Sequence, residues 1–128
     1  MTIVVSAPLH RVRTRHRQGF IKQAAIVRLP VRRPARVAIM LALAHSIDAA
    51  ISAGRLRDQG EAARRLGLSR PRITQLLALL QLAPELQERV LFLEAVDGLE
   101  PVTERDLRPL TRVLCWDDQR ARSSALLR

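Results

Sequence analysis

Residues 66–88 read LGLSRPRITQLLALLQLAPELQE. A glycine is followed by a serine, two arginines, a threonine and a glutamine, and then by a run of leucines. Laid on a helix that begins after Ser69, the segment sorts by period. With Ile73 pointing inward, Leu76, Leu77 and Leu80 point inward too. Pro71, Thr74, Gln75 and Ala78 then point outward, and Arg72 lies on the flank. Pro84 prevents the helix from continuing and biases Ala83 away from helical backbone, so the spacing predicts a helix from Ser69 to about Gln81.

Upstream, a short helix is predicted from Gln59 to Leu66, ended by Gly67, which supplies the backbone freedom of a sharp turn. Two short helices joined by a glycine turn, the second opening with polar residues, is the pattern of a helix-turn-helix. Ala63 is small where the helices must approach. Leu66, Leu68, Ile73 and Leu76 are expected to bury the inner faces. Ser69 is placed to cap the second helix, and Pro71 sits in its first turn, where a missing N–H does little harm.

The remaining chain builds a body for this pair. A helix is predicted over Ala35–Ala53, with Pro34 as a first-turn proline and Gly54 as its terminator. Val37, Met40, Leu41, Ala44, Ile47 and Ile51 share one face, and Ile39 and Leu43 fall outside it. Pro84 opens a fourth helix to about Ala95, with Leu86, Val90 and Leu93 inward. A fifth runs from Thr103, a predicted N-cap, to about Leu114. A short sixth helix or a fraying end follows, and Cys115 and Trp116 are expected to form a small packing cluster. Neither an internal repeat nor a β-hairpin is evident.

Composition agrees. Apolar residues make up 48% of the 128 residues but aromatic ones only 2%, which favours aliphatic helix packing over a β-sandwich. Cys115 is the single cysteine, so no disulfide closes within the chain, and a reducing, cytoplasmic setting is expected. No apolar run reaches membrane-span length.

The net charge of +10 is unevenly placed. Residues 1–36 hold Arg11, Arg13, Arg15, Arg17, Lys22, Arg28, Arg32, Arg33 and Arg36 and no acidic residue. Residues 55–72 hold six arginines against Asp58 and Glu61. A polyanion is the natural partner of such segments. The expected fold is therefore an all-α domain of five to six helices, residues 34–128, containing a helix-turn-helix at about 59–81. An extended, basic, partly disordered arm, residues 1–33, precedes it.

For double-stranded DNA the assignments follow from chemistry. Glutamine suits adenine's N6/N7 edge and arginine suits guanine's O6/N7 edge in the major groove. Ser69, Arg70, Arg72, Thr74 and Gln75 are the predicted base-facing residues. Arg55, Arg57, Arg64 and Arg65, with Arg32 and Arg33 of the arm, are the predicted phosphate contacts. A homodimer is expected, because one short reading helix gives little affinity alone. His10, His16, His45 and Cys115 have no metal-ligand spacing. His45, Ser46 and Asp48 lack triad geometry, and no phosphate-binding glycine loop occurs. No enzymatic activity and no cofactor are expected.

The segment GEAARRLGLSRPRITQLLALLQLAPELQE, residues 60–88, resembles the helix-turn-helix of the ParB/KorB partition proteins. It shares that family's alanine-rich first helix, Leu-Gly-x-Ser-Arg turn, hydroxyl and polar pair, Leu-Leu step and Leu-x-Pro-x-Leu-Gln-like exit. The resemblance implies a nucleoid-associated, sequence-specific DNA-binding protein of the kind found on plasmids, phages and mobile elements. The family's Gly-x-x-Arg-Arg-like and Glu-Asn-x-x-Arg-like nucleotide-binding motifs are absent, so nucleotide binding is not implied. A small transcriptional regulator, or a recombination accessory factor of a mobile element, is the functional expectation, with a recombinase or a transcription machinery component as a further partner. Two other readings compete. An arginine-rich RNA binder requires residues 1–33 and ignores Gln75. A helical protein-interaction adaptor needs a neutral outer face at residues 70–78.

Overall fold

The computed structural model describes residues 4–5, 10–13, 18–21 and 27–127. Strands β1 (Val4–Val5), β2 (His10–Arg13), β3 (Gln18–Ile21), β4 (Val27–Arg28) and β5 (Arg32–Pro34) precede helix α1 (Arg36–Ser52). Then come α2 (Gln59–Leu66), α3 (Arg70–Ala78), a 3-10 turn (Leu79–Gln81), α4 (Pro84–Leu91), strand β6 (Glu94–Val96), α5 (Glu104–Thr111) and α6 (Trp116–Ser123). The chain is a small all-α domain with short two-stranded pairs.

By contacts it divides into two units: residues up to Arg32 with Val96–Gly98, and Arg33–Ala95 with Leu99–Arg128. In the first, β1 pairs antiparallel with β4, and β2 pairs antiparallel with β3 in the register His10↔Ile21 to Arg13↔Gln18. The second pair overturns the expectation that no β-hairpin forms. Four-residue strands of weak alternation, with no Asn-Gly or Asp-Gly between them, leave little sequence signal for one. Val31 N–H donates to Asp97 Oδ1 at 3.0 Å, and Asp97 N–H donates back to the Val31 carbonyl at 2.9 Å. The expected partial disorder of residues 1–33 concerns segments outside the described residues.

The second unit holds the helices. Pro34 lies in β5 instead of opening α1. The helix start is capped from a distance: Glu100 Oε2 accepts the Arg36 N–H at 3.0 Å, taking one of the donors that a helix N-terminus leaves orphaned. At the other end, Gly54 (φ 77) turns left-handed. Its N–H donates to Ile51 O at 3.1 Å, and Arg55 N–H donates to Ala50 O at 2.9 Å, the bond pair of a Schellman turn.

α1 is the spine of the core. Val37, Ala38 and Leu41 join Leu79, Leu82, Leu86, Val90, Leu107 and Leu110 in the larger apolar cluster. Ile47 joins Ala62, Ala63 and Ile73 in a smaller one, flanked by Leu43, Ile51, Leu56 and Leu77. That second cluster seats α2 and α3 on the C-terminal half of α1. Ile39 is exposed, in keeping with its place off the stripe.

α4 ends at Leu91, four residues before the expected Ala95. Two residues on, the Leu93 carbonyl accepts the Ala35 N–H at 2.9 Å. β6 then pairs with β5. α5 begins as predicted, with a capping box in which Thr103 and Asp106 exchange side-chain-to-backbone bonds. It stops at Thr111, short of Leu114. Cys115 and Trp116 are both exposed and form no packing cluster. α6 is instead anchored by Gln119 and Ser123, its buried residues.

Candidate functional site

α2 starts on a cap that the local sequence builds. Asp58 Oδ1 accepts the Glu61 N–H at 2.9 Å, and Glu61 Oε2 reaches back to accept the Arg57 N–H at 2.7 Å. Both carboxyls are held below their ordinary values. For Asp58 the main cause is the Glu61 N–H, and for Glu61 the Arg57 N–H, with neighbouring arginines adding to each.

The helix ends at Gly67, whose φ of 66 and ψ of 29 lie in the left-handed region. Gly67 N–H donates to Arg64 O at 3.4 Å and Leu68 N–H to Ala63 O at 3.0 Å. This turn aims the chain into Ser69, whose Oγ accepts the Arg72 N–H at 3.3 Å and caps α3. Ser69 is thus occupied with its own helix.

α3 lies with Ile73 and Leu76 buried and Leu77 half-buried. Arg70, Pro71, Thr74 and Gln75 are exposed, and Ala78 is half-buried. Of the outward row that the period predicts, Pro71, Thr74 and Gln75 are exposed and Ala78 departs. The Thr74 hydroxyl donates to Arg70 O at 3.3 Å, with Gln59 Oε1 at 3.4 Å as the alternative acceptor. Leu66 and Leu68 depart from expectation: they are 44% and 36% exposed, not buried between the helices. Ala62 and Ala63 form that interface with Ile47 and Ile73, and Leu66 lies at its edge, lining an open apolar cleft with Leu43, Ile47 and Leu56.

Arg72 also departs. Its Nη1 lies 2.6 Å from Glu104 Oε2 and 3.2 Å from Gln75 Oε1, and Nη2 is 3.6 Å from Met40 Sδ. Its guanidinium is turned onto α5 and α1 and reaches the outward row only through Gln75.

Among the predicted phosphate contacts, Arg55, Arg57, Arg64 and Arg65 are exposed around α2. Arg65 also pairs with Glu61 at 2.9 Å, one turn earlier. Arg33 is half-buried; it donates to Glu100 Oε1 at 2.5 Å and to Pro34 O at 3.2 Å. Glu100 is held below its ordinary value by the Arg36 N–H first and by Arg33 second. Arg32 is exposed and belongs to the first unit.

Two residues escaped sequence reasoning. Asp58 was legible in the Asp-x-x-Glu spacing of 58–61, a capping pattern. Glu104 had no such signal, since its partner Arg72 stands 32 positions away. Beside α3, a cleft of ≈ 260 Å³ is lined by Thr74, Gln75, Ala78, Leu79, Glu104, Arg108, Thr111 and Arg112. Among the described residues, no cluster of His, Cys, Asp and Glu could hold a metal ion, and no helix is long and apolar enough to cross a membrane.

No protein-family model, curated protein or solved structure matches this chain.

Proposed function

We propose that α2, the Gly67 turn and α3 act as a helix-turn-helix that binds double-stranded DNA, with α3 in the major groove. The observation that carries this reading is the two-sidedness of α3. Ile73 and Leu76 fix its keel in the body, while Arg70 and, one turn on, the adjacent Thr74 and Gln75 form an exposed polar face. Bases are distinguished in the major groove by donors and acceptors at such positions. Arg55, Arg57, Arg64 and Arg65 are all exposed, and in this role they contact phosphates and set the register. The ParB/KorB-like motif of residues 60–88 points the same way.

In this reading the protein acts by binding, without catalysis or a cofactor, as a cytoplasmic, nucleoid-associated regulator or mobile-element accessory factor. It works as a homodimer that places two copies of α3 in successive major grooves, about 34–36 Å apart. A recombinase or a component of the transcription machinery is the partner class. An interaction adaptor is less favoured, because the exposed row of α3 is polar and flanked by arginine.

Selection of the full chain on a library of randomised DNA duplexes tests this. Wild type should enrich a defined site, and Gln75→Ala should relax preference there by about 1–3 kcal/mol. Equal binding of wild type to every duplex sequence, or to single-stranded RNA in preference to DNA, overturns the reading.

A further inference from the structure

We propose that Glu104 and Arg72 form a relay that fixes the amide of Gln75, so that Gln75 offers hydrogen-bond donors to DNA and refuses cytosine. This rests on the reading of α3 as the DNA-facing helix. Arg72 Nη1 bridges Glu104 Oε2 at 2.6 Å and Gln75 Oε1 at 3.2 Å. A guanidinium has donors and no acceptor. The Gln75 atom that faces it is therefore the oxygen, since a nitrogen there would set donor against donor. Nε2, with its two N–H groups, is left to point away.

Arg72 is poorly placed to leave this arrangement. Its side chain is 28% exposed and that of Glu104 only 9%. Glu104 Oε1 is buried with no hydrogen-bond partner, 3.6 Å from the Arg108 guanidinium. Swinging Arg72 toward a duplex would remove the one close donor of a carboxylate already short of partners, which is costly out of water. Arg72 is thus a positioning residue, and Glu104 holds it in place.

The consequence is a specificity. Major-groove acceptors are N7 and O6 of guanine, N7 of adenine and O4 of thymine, whereas cytosine shows only its N4 donor. An outward Nε2 suits the first three and meets cytosine donor to donor.

The test uses the full chain on a randomised duplex library, with wild type, Gln75→Ala, Arg72→Met and the double variant. In wild-type sites one position should be depleted of cytosine by about tenfold, and Gln75→Ala should erase that bias. Arg72→Met should erase it at the same position, and the double variant should do no more than either alone. Cytosine enriched there overturns the relay. So does a loss at a different base pair, or an equal weakening on all duplexes that adds to the effect of Gln75→Ala. A wild type without sequence preference overturns the DNA reading itself, and this inference with it. A DNA-free measurement separates the two. The side-chain amide resonances of Gln75 should shift in both Arg72→Met and the near-isosteric Glu104→Gln, and unmoved resonances sink the relay whatever the chain binds. If Arg72→Met does not fold, Glu104→Gln carries both measurements.

Discussion

Gln119 Oε1 accepts the N–H of Ala83 at 2.8 Å, and both residues are fully buried. The same side chain donates from Nε2 to the carbonyls of Gln81 at 3.0 Å and Val113 at 2.8 Å. One amide of α6 thereby satisfies the backbone where the 3-10 turn after α3 hands over to α4. Replacement by leucine keeps the volume but removes the partner of the buried Ala83 N–H and of the Gln81 and Val113 carbonyls, and the orphaned N–H alone costs about 1–3 kcal/mol. Gln119→Leu should lower the free energy of unfolding by at least that amount in urea titration with an unchanged m-value. A variant as stable as wild type would mean that water reaches Ala83.

The Gly67 turn lends itself to a cleaner test, because sterics and conformation separate there. A Cβ at this position would meet nothing within 4 Å, yet φ is +66. Any cost of Gly67→Ala is therefore backbone strain, about 1 kcal/mol for a side chain held in the left-handed region. Gly67→Asn should cost less, since asparagine visits that region more readily. Thermal unfolding of the two variants against wild type gives the order, and equal loss in both would point to a steric origin.

Acid should destabilise the helical unit through its caps. Asp58 and Asp106 lie below the ordinary aspartate value of 3.8, and Glu61, Glu85 and Glu100 below the glutamate value of 4.5. The first causes are the Glu61 and Thr103 N–H groups for the two aspartates. For the glutamates they are the Arg57 N–H, the Arg120 side chain and the Arg36 N–H in turn. A carboxyl depressed on folding adds stability that is full above its unfolded value and lost as pH falls through the folded one. Urea midpoints should thus hold between pH 7 and 5 and fall steadily below about pH 4. Asp58→Asn keeps an acceptor for the Glu61 N–H without a proton to gain, so its acid decline should be shallower than that of wild type. Parallel curves would remove Asp58 from the account.

What the sequence made legible was whatever a single helix decides for itself. The bounds of α2, the Ser69 and Thr103 caps, the left-handed glycines and the inward Ile73 and Leu76 all follow from local backbone chemistry and period. What stayed hidden depends on which partner a side chain meets across the fold. The wheel places Arg72 on a flank but cannot know that Glu104 waits there. It turns Leu66 inward, although Ala62 and Ala63 form that interface and Leu66 lies at its edge. β6 is invisible because its partner strand β5 lies far back in the sequence, as does the Ala35 N–H that reaches the Leu93 carbonyl from 58 positions away. Charge alone cannot distinguish Arg33, half-buried against Glu100, from Arg64, which stands in solvent.

That last difference separates two arginines the sequence treats alike. Arg33 gives its guanidinium to Glu100, a residue that also caps α1 through the Arg36 N–H. Arg33→Ala should therefore act on the fold: a lower urea midpoint, with the salt dependence of the proposed DNA binding unchanged. Arg64 is exposed on α2, beside the turn into α3. Arg64→Ala should leave the urea midpoint alone and weaken binding on all duplexes alike, with the slope of log K against log salt shallower by about 1. Binding titrations at several salt concentrations, run beside the urea curves, test both at once. A shallower slope for Arg33→Ala would show that its pairing with Glu100 opens on DNA. An unchanged slope for Arg64→Ala would take α2 away from the phosphate backbone.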